Sequence, residues 1–476
     1  MKLDTLPLVV DLDGTLLRSD VLLESSFAYL GAHPLCAFNL IQWLLSGKAY
    51  LKTQLANNTT LDVTNLPYDR EVVTFLKEEK DKGRQIILAT ATHISYAKQI
   101  ATHLNLFDRV MATEGDCNLA SHTKRNVLVQ EFGFHGFDYV GNSRDDLPVW
   151  EAAHRAYLVN PKGAIERRAK KYNNVERVIH SNSDSLQTWA KTLRFHQWIK
   201  NLLLFVPLFA SHRFVSVDLL LDGVLAFFLF GLCASSAYLF NDLLDLAHDR
   251  CHSIKRHRSF ASGKLSIKAG ILTLSVLLLV AFAVSFWLLP WQFLVVLAGY
   301  YVLTMGYSFI LKQLMVVDVL TLAMLYTLRI IAGAFAFGLA LTFWMLAFSM
   351  FIFLSLALVK RYAELREARS KGREEKTPGR GYYPSDLEMI ASLGAASGYI
   401  SVMVLAFYLQ DPATTALYHH PQIIWLACLL LLFWLSRIWM LTHRGLIHDD
   451  PVIFAIKDRV SLFTGILFVL VFWIAT

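Results

Sequence analysis

Cysteine is scarce in this chain of 476 residues: Cys36, Cys117, Cys233, Cys251 and Cys428 are scattered, and no two form a CxxC pair. An odd, dispersed set argues against a disulfide framework or a zinc site and for a reducing compartment. Charge is scarce too, at 17% of residues against 55% hydrophobic and 13% aromatic, which is too apolar for an ordinary soluble protein. His33, His93, His103, His135 and His154 form no pair in a metal-ligand context. Before the acidic DLDGT run, Met1–Val10 is too short for a cleavable signal peptide. The apolar segments show no paired halves with Gly/Pro-interrupted spans, which counts against a transporter built on inverted repeats. A net charge of +7 could suggest nucleic acid, but most of the excess lies in loops between apolar segments, so no nucleic-acid partner is expected.

What charge there is lies unevenly. Up to about residue 190 the chain mixes charged and apolar residues as a soluble domain does; beyond it, long apolar segments dominate. Segments of roughly spanning length fall near 199–212 (short), 219–240, 269–289, 291–311, 316–338, 341–359, 387–409, 421–441 and 452–474, about nine in all. One set of connecting loops holds Arg250, Lys255, Arg256, Arg258, Lys264 and Lys268, then Lys312, then eight cations from Lys360 to Arg380, then Arg444, Lys457 and Arg459. The alternate loops hold only Arg213. By the positive-inside rule the basic loops are cytoplasmic, and so is the N-terminal domain. The expected organisation is a domain at 1–180 with a small helical cap near 20–70, a linker at 181–193, and a polytopic all-α membrane domain at 194–476.

Carboxylates are costly in a bilayer, yet Asn241, Asp242, Asp245 and Asp249 follow one apolar run directly. The loop charges put them at its cytoplasmic end. On a continuous helix 242, 245 and 249 share one face, where three carboxylates repel unless a cation joins them. Oxygen-only ligands suit Mg²⁺, which completes its shell with waters and substrate phosphates. Cations elsewhere suit an anionic substrate: Lys200 beside Asn201, Lys312, and Lys360 with Arg361. Arg329 lies well inside a span, where a charge marks a functional site by default.

The NDxxDxxxD run at Asn241–Asp249 resembles the first metal motif of the UbiA-type intramembrane prenyltransferase superfamily, a nine-helix bundle with a cytoplasmic-side cavity. Where most of that superfamily has a second DxxxD, this chain has YxxxLKxxxxxD, from Tyr307 through Leu311 and Lys312 to Asp318. RxxQWxKN (Arg194–Asn201), KRxxEL (Lys360–Leu365) and DPxxFAxxDR (Asp450–Arg459) are similar to its decaprenyl-phosphate phosphoribosyltransferase branch, over roughly 190–476. Phe195 and Ser259 stand where that branch has proline. The resemblance implies 5-phosphoribosyl diphosphate (PRPP) and a polyprenyl phosphate as substrates, with diphosphate released. Asp242, Asp245 and Asp249 would hold Mg²⁺, and Asn241, Lys200, Tyr307, Lys312, Asp318, Arg329, Lys360 and Arg361 would bind substrate. An aromatic prenyltransferase would use the same first motif and is the alternative, with a regulatory or degenerate N-terminal domain.

In the N-terminal half, LPLVVDLDGTLL reads as a buried strand whose end presents Asp11 and Asp13 on one side. Further strand-like runs end at Thr90 and Gly141, with Lys124 between them, and helical stretches alternate with strands. That pattern predicts a parallel, doubly wound α/β sheet. DxDGT, Thr90, Lys124 and GNSRDD in this order resemble the haloacid-dehalogenase (HAD) phosphatase superfamily, over about 5–165. The resemblance implies Asp11 as nucleophile and Asp13 as general acid/base, with Thr90 and Lys124 on the phosphoryl group. Asp11, Asp13, Asn142 and Asp146 would be around Mg²⁺. Asn142 replaces the acid expected there, so an active phosphatase and a degenerate regulatory domain both stay open.

A phosphatase tethered to such a transferase would act at high effective concentration on a product that still carries its 5-phosphate. The expectation is a bifunctional, multi-pass enzyme of the inner (cytoplasmic) membrane with both active sites on the cytoplasmic side. A homo-oligomer is compatible with it.

Overall fold

Strand β1 (Leu8–Val10) is three apolar residues with no exposed surface, as expected of a parallel strand covered on both faces. A computed structural model describes residues 6–476 except 116–117, 182–184, 213–215, 253, 378, 411–417 and 448–449. Cys117 and Arg213 lie outside the described residues. The other strands are β2 (Ile86–His93), β3 (Arg109–Thr113), β4 (Asp138–Gly141), β5 (Ala156–Val159) and β6 (Val175–Ile179). They form one parallel sheet in the order β3-β2-β1-β4-β5-β6, with Leu8 in register with Ile86 and Asp138.

Alternation along the strands builds two core layers. Leu8, Val10, Ile86 and Leu88 pack with Val72, Phe75, Leu76 and Ile100 on one face. Val9, Ile87 and Ala89 pack with Phe137, Tyr139 and Trp150 on the other. Because β1 has β2 on one side and β4 on the other, strand order reverses beside it. The residues leaving its carboxyl end therefore open onto the ligand crevice of a doubly wound sheet. The expected cap is present as helices Val21–Ala32, Ala37–Leu45 and Lys48–Asn58. Asp20 caps the first of these by accepting from Leu22 and Leu23 N–H.

The chain divides into two compact units. Met1–Leu193 groups with Tyr238–Leu274, and Arg194–Ala237 with Ser275–Thr476. The segment with the first aspartate motif thus packs with the N-terminal domain, which a single boundary near residue 190 does not anticipate.

Seven helices are long and apolar enough to span a membrane: Val217–Leu244, Ile267–Leu288, Trp291–Phe309, Val317–Ala336, Phe343–Ser370, Pro384–Tyr408 and Pro421–His443. An eighth candidate, Pro451–Lys457 with Arg459–Ala475, is bent by 87°. The protein is a multi-pass membrane protein with seven or eight candidate spans among the described residues, rather than about nine. The expected span at 199–212 is instead a 3₁₀ stretch, Phe195–Phe205, followed by the five-residue helix Val206–Ala210. Pro207 enters that helix in its first turn, and the preceding 3₁₀ winding is not continued as one α-helix. This stretch lies so close to helix Val317–Ala336 that a Cβ on Gly333 would fall 1.9 Å from the Leu204 carbonyl oxygen. Glycine is therefore required there, and Lys200 and Asn201 are fixed against the bundle.

Buried Arg84 ties the base of the sheet together. It donates to Glu79 (2.8 Å) and to the Leu6 carbonyl (2.8 Å), and pairs with Asp138. Asp138→Asn leaves that guanidinium short of a charge. It should cost about 3 kcal/mol, lowering the thermal midpoint of the N-terminal unit by roughly 6–12 °C. Differential scanning calorimetry of the full chain in detergent measures this, and an unchanged midpoint refutes it.

Candidate functional site

The chain carries three groups of buried charge at the expected site residues. The first stands at the carboxyl end of β1. Asp11 accepts from Lys124 Nζ (2.7 Å) and from Thr15 Oγ1 (3.4 Å). Lys124 comes from helix Ser121–Phe132 and also donates to the Tyr139 hydroxyl (3.0 Å), which donates to Asp146 Oδ1 (2.7 Å). Asp13 is held by the Val21 N–H and by Thr92 Oγ1, each at 2.8 Å. Thr90 is buried in β2, and its Oγ1 accepts from Thr92 N–H (3.0 Å). Five of the residues expected from sequence therefore gather here: Asp11, Asp13, Thr90, Lys124 and Asp146. Tyr139 and Thr92, which bridge them, are not discernible from motif spacing; the alternation of β4 gives Tyr139 its inward face.

Burial pushes the Asp11 carboxyl up to about 7, against the opposing pull of Lys124. Burial also raises Asp13, to about 6, with Asp20 adding to the effect. Burial works against the Lys124 ammonium, but Asp11 and Asp146 outweigh it and raise its pKa. Gly14 has φ +77°, and a Cβ on it would sit 2.1 Å from Asn142 Nδ2, so the DxDGT turn and the Asn142 side chain are packed directly together. Asn142 Oδ1 is buried without a hydrogen-bond partner. A buried carbonyl oxygen left over beside two aspartates fits an oxygen-preferring cation. Asp146 fits it less well as a direct ligand, because Oδ2 already accepts from Asn142 N–H, Ser143 N–H and Ser143 Oγ.

The second group is the NDxxDxxxD run. Helix Val217–Leu244 stops before Asp245, and a second helix, Leu246–Cys251, starts after it. The expected single helical face is thus interrupted. Asp242 and Asp249 still converge, but on Arg258, whose Nη1 lies 3.1 Å from one and 2.8 Å from the other. Burial raises the Asp249 pKa, with Arg258 opposing. Among the described residues no three acidic, histidine or cysteine side chains gather as metal ligands, and the closest approach within the run is that of Asp242 and Asp249 at Arg258. A carboxylate pair still fits Mg²⁺, which commonly takes one or two protein carboxylates and fills its shell with water and phosphate oxygens.

This segment is anchored by the residue next to Asp249. Arg250 is buried, and it donates to both oxygens of Glu24 on helix Val21–Ala32 (2.7 and 2.5 Å) and to the Ala261 carbonyl (3.0 Å). Lys268 pairs with Asp20, the cap of the same helix, at 2.8 Å. Neither Glu24 nor Arg250 stands out in sequence, where each reads as an ordinary charge near a helix end.

The third group lies in the other unit. Asp318 has no exposed surface. It pairs with buried Arg361 (2.6 Å) and accepts from Tyr307 (2.8 Å), with Arg380 at 2.8 Å from that hydroxyl. Arg361 also pairs with Glu364. Asp450 receives Lys200 (2.7 Å) and the Tyr326 hydroxyl (3.2 Å), with Lys360 at 3.9 Å. Two ammonium groups thus share one carboxylate. Arg329 bonds Asn201 (3.2 Å), the Tyr300 hydroxyl (3.0 Å) and the Leu325 carbonyl (2.6 Å), and lies over the rings of Phe230, Tyr300 and Tyr326. It acts here as a buried tie between elements. Lys312 sits in the 3₁₀ turn Leu311–Gln313, and Asn241 in the last turn of helix Val217–Leu244.

The profile of the UbiA prenyltransferase family matches residues 202–475. The chain belongs to the UbiA family. It is 38% identical to the uncharacterized protein y4nM of Sinorhizobium fredii over 97% of this chain and 89% of that protein. It is 33% identical to the decaprenyl-phosphate phosphoribosyltransferase of Mycolicibacterium smegmatis over 57% of this chain and 86% of that enzyme. Among solved structures, a UbiA homolog from Archaeoglobus fulgidus bound to DMAPP and Mg²⁺ aligns over 60% of this chain and 98% of its own, at 14% identity and a TM-score of 0.45. The N-terminal domain of this UbiA protein combines a parallel sheet, a DxDGT turn at the end of β1 and a helical cap.

Asp318→Asn should leave the buried Arg361 guanidinium with Glu364 as its acid, a loss of about 3 kcal/mol. Pairing Asp318→Leu with Arg361→Met should recover part of it, with a coupling of at least about 1 kcal/mol in a double-mutant cycle. Thermal inactivation in detergent gives both numbers; strictly additive losses contradict the pairing.

Proposed function

We propose that this protein transfers the 5-phosphoribosyl group of PRPP to a polyprenyl phosphate, and that its HAD-like domain then removes the 5-phosphate. The observation that carries the choice of donor is the second motif. Its single acid, Asp318, is buried and already neutralised by Arg361, so it offers no second carboxylate cluster for a metal-bound prenyl diphosphate. The similarity to the Mycolicibacterium smegmatis decaprenyl-phosphate phosphoribosyltransferase supports the same choice. The basic loops favour the inner membrane with both sites on its cytoplasmic side.

In the transfer step an oxygen of the lipid phosphate forms a bond to C1 of the ribose as the C1–diphosphate bond breaks, and the electron pair leaves with the diphosphate. Arg258 and the pair Asp242–Asp249 are assigned to the departing diphosphate. Lys200 and Lys360, sharing Asp450, have positive charge to spare for a phosphate. The protein's work is to position the two anions and offset their repulsion. In the hydrolytic step Asp11 attacks the 5-phosphate, and Asp13 gives a proton to the departing 5-oxygen. Water then cleaves the aspartyl-phosphate as Asp13 takes the proton back. An Asp13 pKa of about 6 suits a group that must both give and receive a proton near neutrality. Lys124 and Thr90 hold phosphoryl oxygens. Mg²⁺, when bound by Asp11 with Asn142 and by Asp242 with Asp249, supplies further charge neutralisation for the phosphoryl and diphosphate groups.

The test incubates purified full-length protein with PRPP or with a prenyl diphosphate and a phenolic acceptor, side by side, in the presence of polyprenyl phosphate and Mg²⁺. The mass of the lipid product is then read. The expected product is polyprenyl-phosphoryl ribose. Asp11→Asn should stop it at the 5-phosphate, Asp242→Asn should lower turnover by at least about 100-fold, and EDTA should abolish both steps. Release of diphosphate only from the prenyl donor would overturn the phosphoribosyl assignment. A product that keeps its 5-phosphate in the unsubstituted protein would overturn the phosphatase assignment alone.

A further inference from the structure

A small cavity adjoins Asp13. Val21 and Thr92, the two residues that bond the Asp13 carboxylate, both line it, together with Ser25, His93 and Lys52. If Asp13 delivers a proton to the departing oxygen, the alcohol half of the substrate lies on this side of the phosphoryl group. What the cavity presents is then what the leaving group meets.

Lys52 is the unusual member. It projects from the cap helix Lys48–Asn58, and its Nζ donates to the Ala91 carbonyl (2.5 Å) and to Asn118 Oδ1 (2.8 Å). Both acceptors are neutral. Burial lowers the Lys52 pKa, as expected for an ammonium drawn out of water, with Asp13 and Asp20 opposing from a distance. A partly buried cation bonded only to neutral oxygens is stabilised further by any anion that reaches it. Thr92, Ser25 and His93 add hydroxyl and imidazole groups suited to sugar hydroxyls.

We propose that this cavity is a subsite for a second anionic group on the leaving alcohol, and that Lys52 binds it. The inference rests on the phosphatase reading above and deepens it. The substrate class is a phosphomonoester of a sugar that carries a phosphodiester or phosphate at the far end of the ring. A sugar phosphate with a neutral group at that position is a poor substrate.

Two soluble compounds separate the cases: methyl riboside 5-phosphate, neutral at C1, and ribose 5-phosphate carrying a methyl phosphodiester at C1. The quantity read is the ratio of kcat/KM for phosphate release from the two, in the full-length protein with Mg²⁺. The unsubstituted protein should prefer the diester by at least about tenfold, the size of one charge-assisted hydrogen bond. Lys52→Met should collapse that ratio toward one, and Lys52→Arg should restore most of it. If Lys52 only tethers the cap to the 118 region, Lys52→Met lowers both rates alike and keeps the ratio, which overturns the subsite. No preference in the unsubstituted protein also overturns it. Phosphate release from neither compound overturns the phosphatase reading and the subsite with it, an outcome distinct from the other two.

Discussion

A charge taken out of water must be met by another, and that constraint organises both units of this protein. Asp11 is met by Lys124, Asp138 by Arg84, Glu24 by Arg250, Asp318 by Arg361 and Asp450 by Lys200. In each pair at least one member is nearly or fully buried. Apolar packing supplies the sheet layers and the helix bundle, but these pairs decide where each element must stop and which neighbour it must find. They also keep charges inside a protein built to handle phosphates, where a bound anion can exchange partners with groups already in place.

The pairs differ in how much charge they leave over. Asp318 and Glu364 stand against Arg361 and Arg380, a balanced set suited to holding structure. Lys200 and Lys360 share Asp450, with Glu364 also acting on Lys360, and Lys52 is bonded to neutral oxygens with Asp13 and Asp20 farther off. Those are the places with positive charge in excess. Asp242 and Asp249 both meet the Arg258 guanidinium. An excess of one sign at a buried or half-buried position marks where a ligand of the other sign completes the balance.

Much of this was legible in the sequence, for physical reasons. A parallel strand covered on both faces must be apolar throughout, so LVV before DLDGT identified β1 and its reactive end. Spanning helices must be long and uncharged, so their positions and the basic loops between them could be read directly. Other features could not. The break at Asp245 leaves no trace in residue spacing, because a helix stopping for one residue keeps nearly the same periodicity. The segment at 199–212 is apolar enough to resemble a span, but its 3₁₀ winding and Pro207 deny it the length. Glu24 and Arg250, Asp318 and Arg361, and Lys200 and Asp450 are tens to hundreds of residues apart, and only the fold brings them together. Tyr139 carries no signal in residue spacing, and only the fold sets its hydroxyl between Lys124 and Asp146.

The Arg250–Glu24 pair bears on how such a fusion can change over time. Each side chain is buried and bonded through both of its charged ends, so neither can be altered alone without leaving the other stranded. Arg250 is the immediate neighbour of Asp249, whereas Glu24 belongs to the cap helix that begins eight residues after Asp13. Exchanging the N-terminal domain for another would therefore require an acid at that same spot. Shedding it would require a new residue in place of the arginine. The N-terminal domain and the segment of the first aspartate motif are bound to inherit their changes jointly, as parts of one compact unit rather than as interchangeable modules.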